Sequence, residues 1–347
     1  MTDQDVIVIG AGPAGTAAAI LCAQQGLRVV LLEQAVFPRK RPGETLQPGV
    51  EPLLQQLGVA AAVQAAGFLR HTGHWVQWGG ARQFSAFGQG VTGPNRGFQI
   101  PRDALDSLLL CRAVESGVRV VQPCRVLTVI KDSQRVCGVQ TAQGDFIAPH
   151  LIDASGASSW LSRQLKLRWR RFSPHLIARY GYAVGVCPDD NIFCGIDADP
   201  FGWYWTAKIG EHAYHWTRLC FLPGNTSQGI PPAMFKHLTR SGPVRGADVT
   251  WRVGQQVAGR GFFIAGDAAF VLDPAASQGV LKALMSGMMA AHAVIQTRSS
   301  PWHEMSIQQQ YQYWVNEWFH RDRRRLIELY RAHPFPATWL FERQERL

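Results

Sequence analysis

A strand, a glycine-rich turn, a helix and a second strand follow one another at the start of the chain. Residues 5–34 read DVIVIGAGPAGTAAAILCAQQGLRVVLLEQ. The apolar run 6–9 is typical of a buried parallel strand, and a helix of small residues is predicted over 16–25. A second strand over 27–32 ends at Glu33. This order of elements constrains the beginning of the chain to a Rossmann-like α/β unit.

The glycine spacing in the turn has a mechanical reason. Gly10 permits the tight turn, Gly12 lets the backbone approach a pyrophosphate, and Gly15 lets the helix pack on the strand. The N-terminus of the helix then faces the negative charge. Glu33 is expected to accept hydrogen bonds from the adenosine ribose hydroxyls. An acid at this position favours an unphosphorylated ribose, so both FAD and NAD fit the pattern.

The composition excludes several other classes of protein. Of 347 residues, 46% are hydrophobic and 17% charged, which favours a folded globular chain over disorder. Seven cysteines without a C-x-x-C pair argue against a disulfide framework and a zinc ribbon, and no metal site is predicted. We expect no membrane span and a cytoplasmic location, because no run of about 18 apolar residues occurs. The formal charge of +10 comes without a nucleic-acid motif, so no nucleic-acid partner is predicted.

Four later segments favour FAD over NAD. They read FPRKRPGETLQPGV (37–50), GFQIPRDALDSLLLCRAVESGVRVVQPCRVLTVI (97–130), LIDASGASSWLSRQL (151–165) and GFFIAGDAAF (261–270). In order and approximate spacing they resemble the FAD-dependent monooxygenase and halogenase superfamily with the p-hydroxybenzoate-hydroxylase-like fold. The resemblance covers residues 1–50, 97–165 and 259–295.

This resemblance implies positions for the cofactor. Arg102 would reach the pyrophosphate side, the backbone of Val126 would meet the adenine, and Asp267 would bind the ribityl chain or the pyrophosphate. The segment GDAAFVLDPAASQGVLKALMSG (266–287) would pass under the flavin, so that the helix after it points its N-terminus at the N1–C2 carbonyl edge. The predicted FAD-binding set is Gly10, Gly12, Pro13, Ala14, Gly15, Glu33, Gln34, Arg41, Arg102, Val126, Asp153, Gly266, Asp267, Pro274, Gly279 and Val280.

The predicted architecture is α/β, or α+β overall, with three interwoven parts. Residues 1–69, 97–164 and 259–295 form the FAD-binding Rossmann-like domain. Residues 70–96 and 165–258 form an antiparallel-sheet substrate domain, because short alternating runs occur at 203–209 and 213–221. Residues 296–347 form a C-terminal helical segment.

The branch within the superfamily follows from further likenesses. RPGETLQPG and DPAASQGVLKALMSG resemble geranylgeranyl reductases, tryptophan halogenases, and flavoprotein maturases that oxidise a peptidyl tryptophan to a tryptophylquinone. GWYWTAKIG (202–210), YHWTRL (214–219) and the C-terminal YQYWVNEWFHRDRRRLIELY are most similar to the maturases. Halogenases of this kind need a lysine on the strand after the first helical segment, and none occurs between Lys40 and Lys131. Their W-x-W-x-I-P motif is also incomplete here.

The favoured function is monooxygenation of an electron-rich aromatic ring. Reduced FAD would add molecular oxygen to give a C4a-hydroperoxide, and the protein would supply orientation, water exclusion and a base. The ring would belong to a free aromatic compound or to a tryptophan of a partner protein, such as an oxidase precursor. The predicted catalytic residues are His74, His215 and Glu44, and the predicted pocket residues are Trp75, Trp78, Trp203 and Trp205.

Several alternatives stay open at this level. A small-molecule aromatic hydroxylase, a prenyl reductase, a tryptophan-halogenase-like enzyme and a non-catalytic flavin redox sensor share the same FAD motifs. Because no second dinucleotide fingerprint occurs, electrons would come from NAD(P)H bound transiently or from a separate flavin reductase.

Overall fold

The structure is a computed structural model, and it describes residues 4–90, 93–187, 194–221 and 229–342. Several predicted stretches fall partly outside these ranges, among them the last five residues of the C-terminal segment. The elements form an α/β architecture with several sheets, which confirms the predicted fold class.

A six-stranded sheet forms the centre of the FAD-binding part. Its order is β10 (Arg119–Val121), β2 (Val29–Leu32), β1 (Val6–Ile9), β14 (His150–Asp153), β23 (Phe262–Ile264) and β22 (Ala258–Gly259). All neighbours are parallel except β22 and β23. The strands β1 and β2 are apolar and buried along their whole length, which is typical of parallel strands covered on both faces.

The main helices of this part are α1 (Pro13–Gln24), α4 (Arg102–Glu115) and α6 (Gly279–Ser299). Helix α1 begins three residues earlier than predicted, because Pro13 occupies its first turn, where the missing N–H costs nothing. Three shorter helices, α2 (Glu51–Gln56), α3 (Ala60–Ala65) and α5 (Trp160–Gln164), lie in the connections. Together with the sheet, the helices enclose the largest apolar core of the described chain.

A seven-stranded sheet forms the second body. Its order is β20 (Thr239–Asp248), β16 (Ile177–Val184), β19 (Ala213–Cys220), β18 (Gly202–Gly210), β17 (Gly195–Asp199), β5 (Gly73–Gln77) and β6 (Gln83–Ala86). Its strands pair antiparallel, as predicted for the substrate domain, at every neighbour but one. Strands β17 and β5 pair in parallel, because they come from distant parts of the chain and no hairpin joins them.

Smaller sheets complete the described chain. One contains β3 (Thr45–Leu46), β9 (Gly97–Gln99) and β4 (Leu69–His71), a second contains β11 (Val126–Asp132), β12 (Arg135–Thr141) and β13 (Gly144–Ile147), and a third contains β15 (Trp169–Arg171), β21 (Arg252–Gly254) and β24 (Phe270–Val271). A two-stranded ribbon joins β7 (Gln89–Gly90) and β8 (Gly93–Pro94).

The C-terminal segment consists of α7 (Glu304–Arg331) and α8 (Trp339–Glu342). The first half of α7 packs on the core of the six-stranded sheet through Tyr311 and Phe319. Its second half, with Leu326 and Tyr330, packs on a separate core beneath the seven-stranded sheet. Helix α7 therefore spans both bodies.

Candidate functional site

The first turn of the chain leaves no space for side chains at two of its glycines. Gly10 has φ +94°, and a Cβ atom there would lie 2.6 Å from the carbonyl oxygen of Ala154. A Cβ atom at Gly15 would overlap the carbonyl oxygen of Gly10. Helix α1 can therefore start directly against the turn, with its free N–H groups facing outward at Gly12.

Glu33 closes the far side of this turn. Its buried carboxylate accepts hydrogen bonds from the backbone N–H groups of Ala11 and Ala35, both at 2.8 Å. Each carboxylate oxygen keeps a second lone pair, which suits a ribose hydroxyl. The N–H of Cys124 donates to the Glu33 carbonyl at 2.7 Å and brings the start of β11, at Val126, next to this end of the site. The side chain of Gln34 is exposed.

Two guanidinium groups share one buried carboxylate beside the turn. Arg102 donates to both oxygens of Asp106, at 3.0 and 3.1 Å, and to the Pro42 carbonyl. Arg39 lies 3.6 Å from the same carboxylate, and its buried Nε atom has no hydrogen-bond partner. Burial alone would lower the pKa of Arg102, but Asp106, together with Glu44 and Asp267, raises it.

The Arg39 guanidinium lies at the glycine turn. A Cβ atom at Gly12 would come within 3.5 Å of the Arg39 guanidinium, so this group lies where a pyrophosphate would pass. The donor set therefore fits FAD, with the turn and Arg39 at the phosphates and Glu33 at the ribose. Arg41, the predicted cation of this loop, has an exposed side chain, and only its carbonyl reaches inward, toward the hydroxyl of Tyr182 at 3.3 Å.

Asp153 lies at the end of β14 and is fully buried. Its carboxylate accepts from the N–H groups of Ser155 and Leu161, both at 2.9 Å, and burial raises its pKa. These bonds shape the loop whose Ala154 carbonyl meets Gly10. In this arrangement Asp153 supports the turn through the loop.

The second glycine segment joins β23 to α6. Asp267 forms an ion pair with Lys282 of α6 at 2.6 Å, and its carboxylate is half exposed. Pro274 opens a 3₁₀ turn over 274–276, and Gly279 is the first residue of α6. Val280 contacts the loop at Gly43, where a Cβ atom would lie 3.7 Å from its side chain. The loop 37–44 and the start of α6 therefore lie together.

Two of the predicted catalytic residues meet where this loop touches the seven-stranded sheet. The buried Glu44 accepts from its neighbour's amide, Gly43 N–H at 2.8 Å, and from the hydroxyl of Tyr182 at 2.6 Å. The Nδ1 atom of His215 lies 3.5 Å from the Glu44 carboxylate, and Nε2 lies 3.3 Å from the Thr217 hydroxyl. Burial lowers the pKa of His215, although Glu44 opposes this. The imidazole is therefore neutral near pH 7.

The third predicted catalytic residue lies on the same face of the sheet. Tyr182 pairs directly with His215, and Ala207 pairs with His215 from the other side, so Trp205 shares their face. The ring of His74 lies 6.4 Å from the ring of Trp205, and burial together with His71 lowers the pKa of His74. This face carries Tyr182, His215, Trp205 and His74 in one row.

The four predicted pocket tryptophans are divided between three environments. Trp205 lies beside His74, whereas Trp75 points to the opposite face of the sheet and contacts Phe84 at 5.3 Å. Trp203 is fully buried and donates its Nε1–H to the hydroxyl of Tyr330 on α7 at 2.8 Å. Trp78 donates to the Leu329 carbonyl of the same helix. Of the four, Trp205 is the one that lies on the His215 face next to His74.

A small cavity lies between the segment that precedes α6 and helix α7. It has a volume of about 120 Å³ and is lined by Ala275, Ala276, Gln278, Asp322, Arg325, Leu326 and Leu329. Its wall is thus formed half by the segment before α6 and half by α7.

A family model described as an FAD binding domain matches residues 3–184, just over half of the chain. This chain belongs to the FAD-binding-domain family. It is a member of the superfamily of FAD-dependent monooxygenases and halogenases, as its motifs indicated. FAD is therefore the cofactor that the turn, Arg39 and Glu33 would hold.

The curated relatives of this flavoprotein include halogenases and menaquinone reductases. Tryptophan 2-halogenase of Chondromyces crocatus is 29% identical over 83% of this chain and 60% of its own length. A 1H-pyrrole-2-carbonyl-[peptidyl-carrier protein] brominase of Pseudoalteromonas luteoviolacea is 30% identical over 84% of this chain and 77% of its own. Menaquinone reductase of Mycobacterium tuberculosis is also 30% identical, over 83% of this chain and 75% of its own. The chain thus spans less than two thirds of the tryptophan 2-halogenase.

Solved structures agree with this placement. The flavin-dependent brominase Bmp2 superposes with a TM-score of 0.79 at 26% identity, over 90% of this chain and 83% of its own. The peptidyl tryptophan dihydroxylase QhpG, which is essential for tryptophylquinone cofactor biogenesis, superposes with a TM-score of 0.77 over 99% of this chain and 79% of its own. At 20% identity, the second match establishes the fold alone.

Sequence reasoning about this flavoprotein missed Arg39, Tyr182 and Asp106. Arg39 stands in the same cationic run as the predicted Arg41, and the sequence offers no signal to separate the two. Within the part of the chain that the structure describes, no helix is both long and apolar enough to cross a bilayer. The same residues contain no group of three or more potential metal ligands.

Proposed function

We propose that this flavoprotein is a monooxygenase that hydroxylates an electron-rich aromatic ring. The observation that carries the proposal is the buried Glu44–His215–Tyr182 group, which lies where the loop 37–44 meets the seven-stranded sheet. A neutral imidazole beside a carboxylate can take a proton from a phenol or indole and hold it as an imidazolium. FAD, when bound and reduced, supplies the activation of oxygen.

Each member of the group has a defined task in this proposal. His215 accepts the substrate proton, because burial keeps it neutral near pH 7. Glu44, 3.5 Å from Nδ1, stabilises the positive charge that forms on the ring. Tyr182 fixes the Glu44 carboxylate by donating to it at 2.6 Å, and so holds the loop 37–44 against the seven-stranded sheet. Trp205 and His74 offer aromatic surfaces for the substrate on the same face.

A ring attached to a protein is the substrate class that we favour. The brominase relative acts on a pyrrole carried by a peptidyl-carrier protein, and QhpG is a dihydroxylase of a peptidyl tryptophan. The formal charge of +10, with exposed arginines on α7 at 321, 324 and 325, suits an acidic protein partner. Electrons would come from NAD(P)H or from a separate flavin reductase.

Halogenation is the second candidate, because several of the relatives are halogenases. Against it stands the stretch between Lys40 and Lys131, which contains no lysine and includes β4 and β5, the strands that follow α3. The family resemblance requires a lysine there to carry the halogenating species. Hydroxylation needs no such residue.

A product analysis separates these functions. The protein loaded with FAD, with NADH, a flavin reductase, oxygen and bromide, is offered free tryptophan, indole, phenol and tryptophan-containing peptides, and products are identified by mass spectrometry. We expect addition of one oxygen atom. Addition of bromine would show a halogenase, and an inert bound flavin that neither reduces nor consumes oxygen would refute a monooxygenase.

A matched pair of variants tests the proposed base. His215→Gln removes the buried imidazole, whereas His212→Gln removes an exposed one at the turn of the same hairpin. We expect H215Q to lower the hydroxylation rate by about a hundredfold while peroxide release continues, and H212Q to behave as the unmodified protein. Equal rates in the two variants would exclude His215 as the base.

A further inference from the structure

Asp273 is a buried carboxylate in the segment DPAASQG, six residues before α6. Its side chain is almost fully buried, and it accepts three hydrogen bonds. The donors are the N–H of Ala275 at 3.0 Å, the indole N–H of Trp251 at 2.6 Å and the hydroxyl of Tyr330 at 2.8 Å. A charge at such a depth is costly unless it is well hydrogen-bonded, and here the donors satisfy both oxygens.

The donors come from different parts of the molecule. Tyr330 lies on α7 and is fully buried, and its hydroxyl also accepts the indole N–H of Trp203 at 2.8 Å. Trp203 belongs to β18 of the seven-stranded sheet, and Trp251 directly precedes β21. One carboxylate thus joins the sheet, the C-terminal helix and the segment before α6.

The segment that follows Asp273 is short and defined. The Ala275 N–H bond makes Asp273 the cap of the 3₁₀ turn over 274–276, and Ser277 then takes a left-handed conformation with φ +50°. Helix α6 begins two residues later, at Gly279. A rotation of the Asp273 side chain would release the first bond of this turn, and the start of α6 would lose its fixed position.

We propose that Asp273 is a positioning residue for the flavin-facing turn 274–279, and that Tyr330 and Trp251 fix it, so that the C-terminal helix α7 forms part of the cofactor site. The proposal rests on the FAD-binding role of the chain and is independent of whether the reaction is hydroxylation or halogenation.

The pH dependence of FAD binding distinguishes a positioning role of the Asp273 carboxylate from a role in packing alone. Burial raises the pKa of Asp273 to about 6, while the bonds from Tyr330, Trp251 and Ala275 oppose the rise. Among these three groups only Tyr330 is titratable, and none is charged at neutral pH. A proton on the carboxylate would displace one of the donors. We therefore expect FAD to bind more tightly above pH 6 than below it.

The stability of the FAD-free protein should change with pH in the direction opposite to FAD affinity. The pKa of Asp273 is higher in the folded chain than its ordinary value of 3.8, so folding favours the protonated form. This contribution is present in full below the ordinary pKa and is lost as the pH rises through about 6. Removing the Tyr330 hydroxyl takes away a bond to the charged form, so both transitions should move to higher pH.

The test compares two buried tyrosines of α7. Tyr330→Phe removes the donor to Asp273, and Tyr311→Phe removes a hydroxyl that donates to the backbone carbonyl of Ile264 at 2.8 Å. FAD dissociation constants are measured by flavin fluorescence from about pH 5 to about pH 9, with thermal unfolding of the FAD-free protein alongside. We expect Y330F to weaken FAD binding about tenfold near pH 6.5 and to shift the transition upward. Y311F should lower stability without moving the transition.

Two further variants protect the test against misfolding. Trp251→Phe removes another donor without touching α7, and it should shift the transition in the same direction as Y330F. Asp273→Asn should abolish the transition and leave a flat profile. Identical transitions in Y330F and Y311F, or a transition that persists in D273N, would overturn the proposal. A folded protein that hydroxylates nothing would leave these binding profiles unaffected.

Discussion

Replacing Glu44 by glutamine should destabilise the protein measurably. The carboxylate accepts from Gly43 N–H at 2.8 Å and from the Tyr182 hydroxyl at 2.6 Å, on different oxygens. The amide of E44Q can accept from Gly43 N–H through its oxygen and donate its NH₂ group to the Tyr182 hydroxyl, which then acts as acceptor. Both hydrogen bonds lose their charge assistance in a buried position. A charge-assisted bond is worth about 1.5–3 kcal/mol and a neutral one about 1 kcal/mol, so we expect a loss of about 2–3 kcal/mol for the two together.

The same substitution should alter the titration of His215. Burial lowers the pKa of this histidine, and the Glu44 carboxylate partly restores it. Without the negative charge, burial acts unopposed and the pKa of His215 falls further. NMR of the imidazole nitrogens should show His215 neutral down to a lower pH in E44Q than in the unmodified protein.

The control is an exposed glutamate–histidine pair, Glu211 and His212. Glu211 lies 3.7 Å from His212, and its carboxylate is 89% exposed. Because an exposed pair contributes little, Glu211→Gln should change the free energy of unfolding by less than about 0.5 kcal/mol. Chemical denaturation measures both variants. If E44Q and E211Q lose equal stability, or if the pKa of His215 is unchanged in E44Q, the assigned roles of the buried group are wrong.

Three further predictions concern the FAD site. Gly15→Ala places a Cβ atom on the carbonyl oxygen of the first glycine of the turn, so FAD affinity should fall at least about tenfold in a fluorescence titration; unchanged affinity would contradict the close packing of α1. Arg39→Ala should weaken FAD binding, and more so at low salt, whereas Arg41→Ala should not, because the side chain of Arg41 is exposed; calorimetry at two salt concentrations decides this. Asp267→Asn should lower the melting temperature more than Lys282→Met, because it leaves a buried ammonium without a counter-charge; the reverse order would refute this.

The sequence predicted the FAD-binding part well because its signals are local. The turn at Gly10–Gly15 and the acid at Glu33 lie within one βαβ unit, where spacing alone defines the geometry. The choice of Arg39 over Arg41 depends on which side chain reaches Asp106, 67 residues further along than Arg39, and no local pattern reports this.

The placement of the four predicted pocket tryptophans was harder to predict, because it depends on which face of a strand each side chain points to. Trp75 and Trp78 are three residues apart, and in an extended chain this places them on opposite faces. Applied to β5, that rule would have separated the two tryptophans from the sequence alone. The contact between Asp273 and Tyr330 joins residues 57 positions apart in the chain, and neither lies in a motif that points to the other.

The route of the chain limits how the protein can be divided. The backbone passes from the six-stranded sheet into the seven-stranded sheet and returns, and does so twice. No single cut can therefore release one body with all of its strands, and a nicked protein should stay assembled until denaturant is added. It also follows that neither body can be produced as one uninterrupted fragment, so exchanging the seven-stranded sheet for that of a relative requires two separate grafts.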